Sequence, residues 1–415
     1  MITVKPFAAL LPTEEYVKEC AALPYDVMSS DEARREVVGK PYSFLHIDKA
    51  EIDLDPSVGL YDDRVYEKAA ANLKAFEEKG VYRLASERKF YFYRQIMDGR
   101  AQTGIVGCAS IDDYLENRIK KHELTRADKE LDRIRHVDTC SAQTGPIFLA
   151  YKDSAALDGA IERETAKAPL FDFTSDDGVR HTVWESSSTQ TDGEIERAFA
   201  ALGSLYIADG HHRAASAVKA GLKRREAAGE AFTGKEEFNF FLSVIFPAKD
   251  LRIFDYNRVL RELGGRSEEE FLRAVEESLG SVCEYKGDGQ YRPQAPHTVG
   301  LYLGKKWYEV RFHERVCAGE TPSERLDCAI LQKRLLAPVL GIEDPRTDKR
   351  IDFVGGIRGL KELERRCGED CVAAIAMYPT SMDELMSVAD AGEIMPPKST
   401  WFEPKLRSGI FIHKI

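Results

Sequence analysis

The sequence predicts an α/β (α+β) protein, and three observations support this fold class. Apolar runs of strand length alternate with segments of helical periodicity along the whole chain. The 415 residues leave room for two or three domains and a large buried core. A buried strand at 204–208 leads directly through a turn into a helix. The composition, 43% hydrophobic and 31% charged, excludes disordered, collagen-like and coiled-coil proteins.

The first elements are an extended segment, a turn and two helices. Residues 3–7 are predicted to be extended, and Pro-Tyr-Asp at 24–26 is typical of a turn, with lining of a binding site as the alternative interpretation. A helix is expected from Ser29 onwards. Apolar residues at three- and four-residue spacing predict a second helix over 62–79, which Gly80 ends.

A β-hairpin and a charged segment follow. The runs KFYFYRQI (89–96) and QTGIVGCAS (102–110) are joined by Asp98-Gly99, a strong hairpin signal. The segment 112–136 is dense in Arg, Lys, Glu and Asp. We expect a helix there, with a charged face of the kind that is ordinarily solvated.

The rest of the chain continues the alternation. Further strands are predicted at 146–151, 179–185, 204–208, 238–246, 297–303, 306–312 and 372–377. Further helices are predicted at 191–202, 267–279, 322–337, 358–366 and 382–391. The helix that follows the turn at 209–210 is expected to end near Gly221, before an exposed loop at 226–235.

No repeat or low-complexity linker marks a domain boundary in the sequence. We divide the chain into an N-terminal α/β segment (1–86), a central core (87–265) and a C-terminal α/β domain (266–415). The last of these ends in the loop MPPKSTWFEPK.

The charge balance limits the class of ligand. With 59 Lys and Arg against 70 Asp and Glu, the net charge of −11 argues against a general nucleic-acid binder, which needs excess positive charge to replace phosphate counterions. An anionic substrate therefore requires a local, focused positive site.

The sequence predicts a cytoplasmic protein without a membrane partner. Its apolar runs are far shorter than the roughly 20 residues that cross a bilayer, and the N-terminus lacks the features of a secretory signal. The eight cysteines are scattered and form no CxxC pair, which disfavours a disulfide framework and a zinc site. The oligomeric state is not predicted.

The turn at Asp209–Arg213 is the strongest functional signal. Gly210 allows a tight turn, the helix start offers free N–H groups, and His211, His212 and Arg213 add donors suited to phosphate oxygens. Asp209 offers a carboxylate that can hold a metal or orient a hydroxyl. The alternative is structural: Asp209 caps the helix and Arg213 forms a surface ion pair. Two metal-binding histidines are less favoured, because adjacent side chains on a helix diverge.

The string YIADGHHRAASAVKAG resembles the signature of the ParB/sulfiredoxin-like superfamily, in which a strand-turn-helix motif binds nucleotide phosphates. It is most similar to the free serine kinase branch, whose motif is Asp-Gly-His-His-Arg and whose upstream Lys-Pro-His-Glu motif supplies the catalytic base. This chain has Lys121-His122-Glu123, with Lys where the Pro would be. The resemblance implies a mixed-sheet core with a strand-turn-helix phosphate site and an insertion between the two motifs.

Over its full length the chain resembles the bacterial family called domain of unknown function 1015. The segments that carry this resemblance are KPFAALLP, LPYDVMS, SFLHID, RAQTGIVG, KKHELT, DGHHRAA and MPPKSTWFEPK.

The kinase resemblance implies a phosphotransferase that joins a nucleotide and L-serine to give O-phosphoserine, or the reverse. Gly210, His211, His212 and Arg213 would hold the phosphates of ATP or ADP, Asp209 would position Mg²⁺ or the hydroxyl, and Glu123 would take the hydroxyl proton. The alternatives are a phosphoserine phosphatase-like hydrolase and a ParB-like nucleotide switch. Sulfiredoxin chemistry would need a Cys at position 211 and is excluded.

Further residues are candidates for substrate binding. The Glu123 side chain has a structural alternative, pairing with a Lys or Arg three or four residues away on a charged helix. The C-terminal loop is stiffened by prolines and carries Lys and hydroxyl groups; a plain structural loop is the alternative. The substrate-binding candidates are His122, Arg258, Lys398, Ser399 and Thr400.

Overall fold

A computed structural model describes residues 1–125 and 127–415 of the chain and, for Asp128, the backbone. Its contacts divide the chain into two compact units, Met1–Leu251 with Pro404–Ile415, and Arg252–Glu403. The sequence-based division had three segments instead. Residues 1–86 join the first unit because the N-terminal strands pair with strands of the core and of the C-terminus.

The first unit contains most of the strands and α-helices. Its strands are β1 Val4–Lys5, β2 Ala9–Pro12, β3 Tyr82–Leu84, β4 Tyr91–Met97, β5 Arg100–Ser110, β6 Ile119–Lys120, β7 Ala142–Gln143, β8 Ile147–Tyr151, β9 Phe171–Thr174, β10 Arg180–Glu185, β11 Leu205–Asp209, β12 Phe240–Pro247 and β21 Ile412–Lys414. Its α-helices are α1 Val17–Cys20, α2 Ser30–Glu36, α3 Leu45–Asp48, α4 Asp63–Glu78, α5 Ile111–Leu115, α6 Ala127–Cys140, α7 Ala155–Thr165, α8 Thr189–Ala200 and α9 His211–Ala228.

These strands form a large mixed sheet and a smaller antiparallel one. The large sheet has the order β6-β11-β8-β12-β5-β4-β10-β9, with β1 beside β5, and the smaller has the order β3-β2-β21-β7. Strand β11 runs parallel to β6 and antiparallel to β8, whereas β8 and β12 are parallel. The predicted α/β class with a mixed-sheet core and a strand-turn-helix unit is therefore confirmed.

Several predicted elements are confirmed in this unit. The helix predicted over 62–79 is α4, and the predicted hairpin is the β4–β5 pair. At its tip, Asp98 and Gly99 both have positive φ, 51° and 76°, as a tight hairpin turn requires.

The single charged helix predicted over 112–136 is wrong. The segment instead contains helix α5, strand β6, a bend at Glu123 and helix α6. Strand β6 forms because Ile119 and Lys120 pair in parallel with β11, a contact between distant parts of the sequence. The pairing places the residues after β6 beside the end of β11.

The predicted end of α9 at Gly221 is also wrong, because the helix continues to Ala228. Gly221 is buried within it, and a Cβ there would lie 2.4 Å from the Phe238 carbonyl oxygen. The glycine thus permits close packing of the helix, and the exposed loop expected from 226 begins only after Ala228.

The second unit is also α/β. Its strands are β13 Ile253–Phe254, β14 Tyr256–Leu260, β15 Gly280–Glu284, β16 Thr298–Leu303, β17 Lys306–Phe312, β18 Ile351–Gly355, β19 Ala373–Ala376 and β20 Trp401–Phe402. Its α-helices are α10 Glu268–Ser278, α11 Glu314–Cys317, α12 Asp327–Leu331, α13 Ala337–Leu340, α14 Leu360–Glu369 and α15 Met382–Asp390.

The main sheet of the second unit has the order β15-β17-β16-β19-β14-β18. The continuous helix predicted over 322–337 is divided into a 3₁₀ turn, α12, a π-helical stretch at Gln332–Leu336 and α13. Within the part of the chain that the structure describes, no helix is both long enough and apolar enough to cross a bilayer.

Candidate functional site

The site is built at the end of a buried strand. Residues 205–208 of β11 are buried, and Asp209 ends the strand with 30% of its side chain exposed. Gly210 follows with φ 94° and ψ 33°, in the left-handed region that only glycine adopts without strain. This conformation turns the chain at once from β11 into α9.

The first turn of α9 presents backbone N–H donors. The first α-helical bond runs from the Ala214 N–H to the Gly210 carbonyl, at 2.9 Å. No described side chain caps this helix start, so the N–H groups of His211, His212 and Arg213 lie at the positive end of an 18-residue helix. An anion is stabilised at such a position.

Arg213 folds back across the turn. Its Nη1 donates to the Pro146 carbonyl at 2.6 Å, and its Nη2 lies 3.5 Å from Asp209 Oδ2. A Cβ on Gly210 would lie 3.0 Å from Arg213 Nε. Glycine at position 210 therefore permits both the left-handed backbone conformation and the close approach of the Arg213 side chain.

A lysine near the C-terminus is the second cation, after Arg213, beside the Asp209 carboxylate. Lys405 Nζ lies 3.4 Å from Asp209 Oδ2, and both side chains belong to the first unit. Burial alone would raise the pKa of the Asp209 carboxyl, but Lys405 and Arg213 hold that pKa below its usual range. Lys405 was not among the residues predicted from the sequence, and its only signal there was its place at the end of MPPKSTWFEPK.

The two motifs singled out in the sequence meet at His211. The His122 backbone N–H donates to His211 Nε2 at 3.4 Å, across 89 positions of sequence. His211 Nδ1 lies 3.6 Å from Glu123 Oε2. The KHE segment and the DGHHR turn are thus brought together by the pairing of β6 with β11.

The protonation of His211 follows from its surroundings. Only 3% of its side chain is exposed, and burial, together with His122, holds the pKa of His211 well below its usual range. The ring is therefore neutral at pH 7. Because Nε2 accepts a hydrogen bond, the single ring proton is assigned to Nδ1, the nitrogen nearest the Glu123 carboxylate.

His122 is fully enclosed beside this pair. Its ring lies edge-on to the His211 ring, with centroids 4.4 Å apart. Burial lowers the pKa of His122 to about 4. Neither of its ring nitrogens has a hydrogen-bond partner of normal geometry among the described residues.

Glu123 itself lies in a bend, not on a helix, and 48% of its side chain is exposed. The charged helix that the pairing alternative assumed does not include Glu123, and both the catalytic role and the structural alternative stay predictions. The Glu123 carboxylate is both solvent-accessible and beside the helix start that presents the N–H donors.

The donor set for a metal is small. Among residues 1–125 and 127–415, no group of three or more His, Cys, Asp or Glu side chains is arranged to hold a metal ion. Mg²⁺ is often bound through one or two carboxylates together with the phosphates of its substrate. Asp209 supplies a carboxylate of this kind at the turn.

The remaining sequence candidates lie in the second unit. Arg258, on β14, is buried and donates to the Tyr256 carbonyl. Ser399 is buried and donates to the Pro396 carbonyl at 2.6 Å. Lys398 is exposed, with its ammonium 5.5 Å from the centre of the Tyr256 ring, and Thr400 is half-buried. Their roles in substrate binding stay predictions.

Comparison with known proteins gives one family. Residues 4–329 match the model of the family described as "Protein of unknown function (DUF1015)". No curated protein matches the chain.

Solved structures resemble the chain distantly. The chain is 12% identical to SbnI from Staphylococcus aureus with a C-terminal truncation, over 74% of this chain and 85% of that one, with a TM-score of 0.37. It is 17% identical to a free serine kinase in complex with AMP, over 71% and 85%, with a TM-score of 0.35. It is 16% identical to a conserved hypothetical protein from Pyrococcus furiosus, over 73% and 92%, with a TM-score of 0.34.

Proposed function

The chain belongs to the DUF1015 family, and we propose that it is a phosphotransferase that moves a phosphoryl group between a nucleotide and the hydroxyl of a small amino acid. The observation that carries the proposal is the 3.6 Å separation of Glu123 Oε2 from His211 Nδ1. This separation supports the proposal, because a carboxylate able to act as a base would then lie beside a helix start able to hold phosphates.

The phosphate end of the site is proposed to form around the first turn of α9. The α9 N-terminus, Arg213 and His212 supply donors at one turn, in a chain whose net charge is −11. Phosphoryl transfer requires positioning and charge neutralisation more than covalent chemistry. The cation Lys405 beside Asp209 adds to the positive potential at this position.

The proton of the acceptor hydroxyl goes to Glu123. The acceptor oxygen forms a bond to phosphorus, the bond from phosphorus to the bridging oxygen of the nucleotide breaks, and the Glu123 carboxylate receives the proton. Neutral His211 orients that carboxylate without competing for the proton, since its Nε2 already accepts a hydrogen bond.

Mg²⁺ is proposed as the companion of the nucleotide, with Asp209 as its protein ligand. When bound, the ion would neutralise charge on the phosphates. Asp209 is suited to this because neighbouring cations keep the pKa of its carboxyl low and the group ionised.

The identities of the acceptor and of the nucleotide are inferred from the sequence resemblance alone. Serine as acceptor, O-phosphoserine as product, and ATP or ADP as donor are the expectations of the free serine kinase motifs. His122, Arg258, Lys398, Ser399 and Thr400 are proposed to contribute to the substrate-binding surface.

The test is to incubate the purified protein with Mg²⁺, L-serine and ATP or ADP, and in parallel with O-phosphoserine and AMP or ADP, following phosphorus species by ³¹P NMR. Formation or nucleotide-dependent consumption of O-phosphoserine supports the proposal. Release of phosphate from O-phosphoserine without any nucleotide would identify a hydrolase instead. Nucleotide binding with no conversion in either mixture would identify a switch or binding protein.

A further inference from the structure

A cavity with mixed polar and apolar lining lies in the first unit beside Arg213. The space among its lining residues is about 480 Å³, a volume that includes open solvent. Its polar lining comes from distant parts of the sequence and includes Tyr25, Asp48, Arg133, Thr144, Arg213 and Ser408. None of these residues except Arg213 belongs to the phosphate turn.

Arg133 is the unusual member of this lining. It lies on α6 with only 11% of its side chain exposed, and its guanidinium lies over the Tyr25 ring, 4.0 Å from the ring centre. Its Nε donates to Asp132 Oδ2 at 3.0 Å. Its two terminal nitrogens donate to no residue that the structure describes, so they are available to a ligand in the cavity.

Tyr25 adds a neutral donor. Burial raises the pKa of its hydroxyl to about 12, so the group stays protonated at pH 7. The hydroxyl has no hydrogen-bond partner in the described part of the chain. The Pro-Tyr-Asp segment thus forms the expected turn, a 3₁₀ turn at Tyr25–Val27, and also lines this cavity.

The cavity also carries one buried negative charge. Asp48 is 5% exposed and accepts a hydrogen bond from Thr144 Oγ1 at 2.7 Å. The lining therefore combines the guanidinium groups of Arg133 and Arg213 with a single carboxylate. Planar guanidinium groups bind carboxylates through paired N–H donors, and a carboxylate binds an ammonium group.

We propose that this cavity binds a small zwitterionic α-amino acid, with the ligand carboxylate on Arg133 and Tyr25 and the ligand ammonium towards Asp48. That this ligand is the phosphoryl acceptor rests on the proposed function. Arg213 links the two sites, since it lines the cavity and also lies 3.5 Å from Asp209 at the phosphate turn.

The test is calorimetric titration of the full chain, without nucleotide, with L-serine, L-alanine, ethanolamine, glycolate and inorganic phosphate. L-Serine and L-alanine should bind, whereas ethanolamine lacks the carboxylate and glycolate lacks the ammonium, and each should bind at least about tenfold more weakly. Equal binding of ethanolamine, or binding of phosphate in place of the amino acids, would overturn the proposal.

A matched pair of variants on α6 identifies the arginine responsible. Arg133 and Arg135 each lie over a tyrosine ring, but only Arg133 lines the cavity. Arg133→Gln should weaken amino-acid binding at least about tenfold, and Arg135→Gln should leave it unchanged. If Arg133→Gln fails to fold, Tyr25→Phe removes the hydroxyl alone and should still weaken binding; unchanged binding in the folded variants sinks the proposal.

Failure of the inference is distinguishable from failure of the proposed function. Amino-acid binding that depends on Arg133, without phosphoryl transfer, would support the cavity and reject the kinase. Phosphoryl transfer to serine with an unchanged KM for serine in Arg133→Gln would support the kinase and reject the cavity as its acceptor site.

Discussion

His211 Nδ1 lies 3.6 Å from Glu123 Oε2, although the two residues come from different motifs and different elements. The contact exists because β6 pairs with β11, so that the bend after β6 and the helix after β11 begin at the same edge of the sheet. It places a proton donor beside the carboxylate proposed as the base. His211 is therefore a positioning residue in this account.

The first prediction tests whether the Nδ1–H donor of His211 is needed for turnover. Asn at this position keeps a donor where Nδ1 lies, whereas Leu keeps only bulk. We expect His211→Leu to lower kcat at least about tenfold, part of the 10²–10⁴-fold that a positioned base supplies, and His211→Asn to retain more of kcat. Steady-state kinetics with nucleotide affinity measured in parallel give the result; equal kcat in both variants would remove the positioning role.

The second prediction concerns Gly210. Gly210→Ala should cost about 1–2 kcal/mol of stability for the left-handed backbone, and should also weaken nucleotide binding, because its Cβ would lie 3.0 Å from Arg213 Nε. Gly39 is the control: its φ is 78°, but a Cβ there meets nothing within 4 Å. Gly39→Ala should lose similar stability in chemical denaturation and keep its nucleotide affinity. A similar loss of affinity in both variants would contradict the proposed arrangement.

The third prediction is a pH dependence. The pKa of Asp209 is lower in the folded protein than its ordinary value of 3.8. The ion pairs of Asp209 therefore stabilise the site fully at pH values above 3.8, and this stabilisation is lost only as the pH falls through the lower pKa of the folded protein. Lys405→Met removes one of the two cations, so burial should raise the pKa of Asp209. In Lys405→Met we therefore expect nucleotide affinity to fall at a higher pH than in the wild type; this low-pH part of the profile is its acid limb.

Lys414→Met is the matched control for this pH experiment, because Lys414 also pairs with a carboxylate, Glu77. Its pH profile should coincide with that of the wild type. An acid limb that does not move in Lys405→Met would show that Lys405 does not control the ionisation of Asp209.

The fourth prediction tests the packing of α9. Gly221→Ala should destabilise the first unit by about 1–3 kcal/mol, the usual cost of overpacking, since its Cβ would lie 2.4 Å from the Phe238 carbonyl oxygen. At Gly193 of α8 a Cβ meets only the end of the flexible Arg197 side chain, at 3.3 Å. Gly193→Ala should be neutral or stabilising in thermal unfolding, and equal effects of the two substitutions would contradict this packing.

Local signals predicted the parts of the fold that depend on neighbouring residues. The Asp98-Gly99 hairpin, helix α4 and the strand-turn-helix at Asp209–Arg213 each follow from turn chemistry or periodicity within a short segment. The bounds of α4, of the two hairpin strands and of the start of α9 agree with the prediction to within a few residues, whereas the end of α9 does not.

Features that depend on distant partners were not predictable in this way. Lys405 reaches Asp209 across 196 positions of sequence, and strand β14 is held by β18 and β19, both far along the chain. Arg133 belongs to a segment expected to be solvated, yet tertiary packing buries it. Charge alone does not distinguish a solvated arginine from one that lines a cavity.

The most direct test of the central claim compares the wild type with Glu123→Gln for transfer of labelled phosphate from nucleotide to L-serine, with nucleotide affinity measured on the same samples. Glu116→Gln is the control, because Glu116 is exposed and pairs with Arg118. We predict that Glu123→Gln loses transfer while nucleotide affinity is kept, and that Glu116→Gln retains both. Transfer at the wild-type rate in Glu123→Gln, or no transfer in the wild type, would contradict the account.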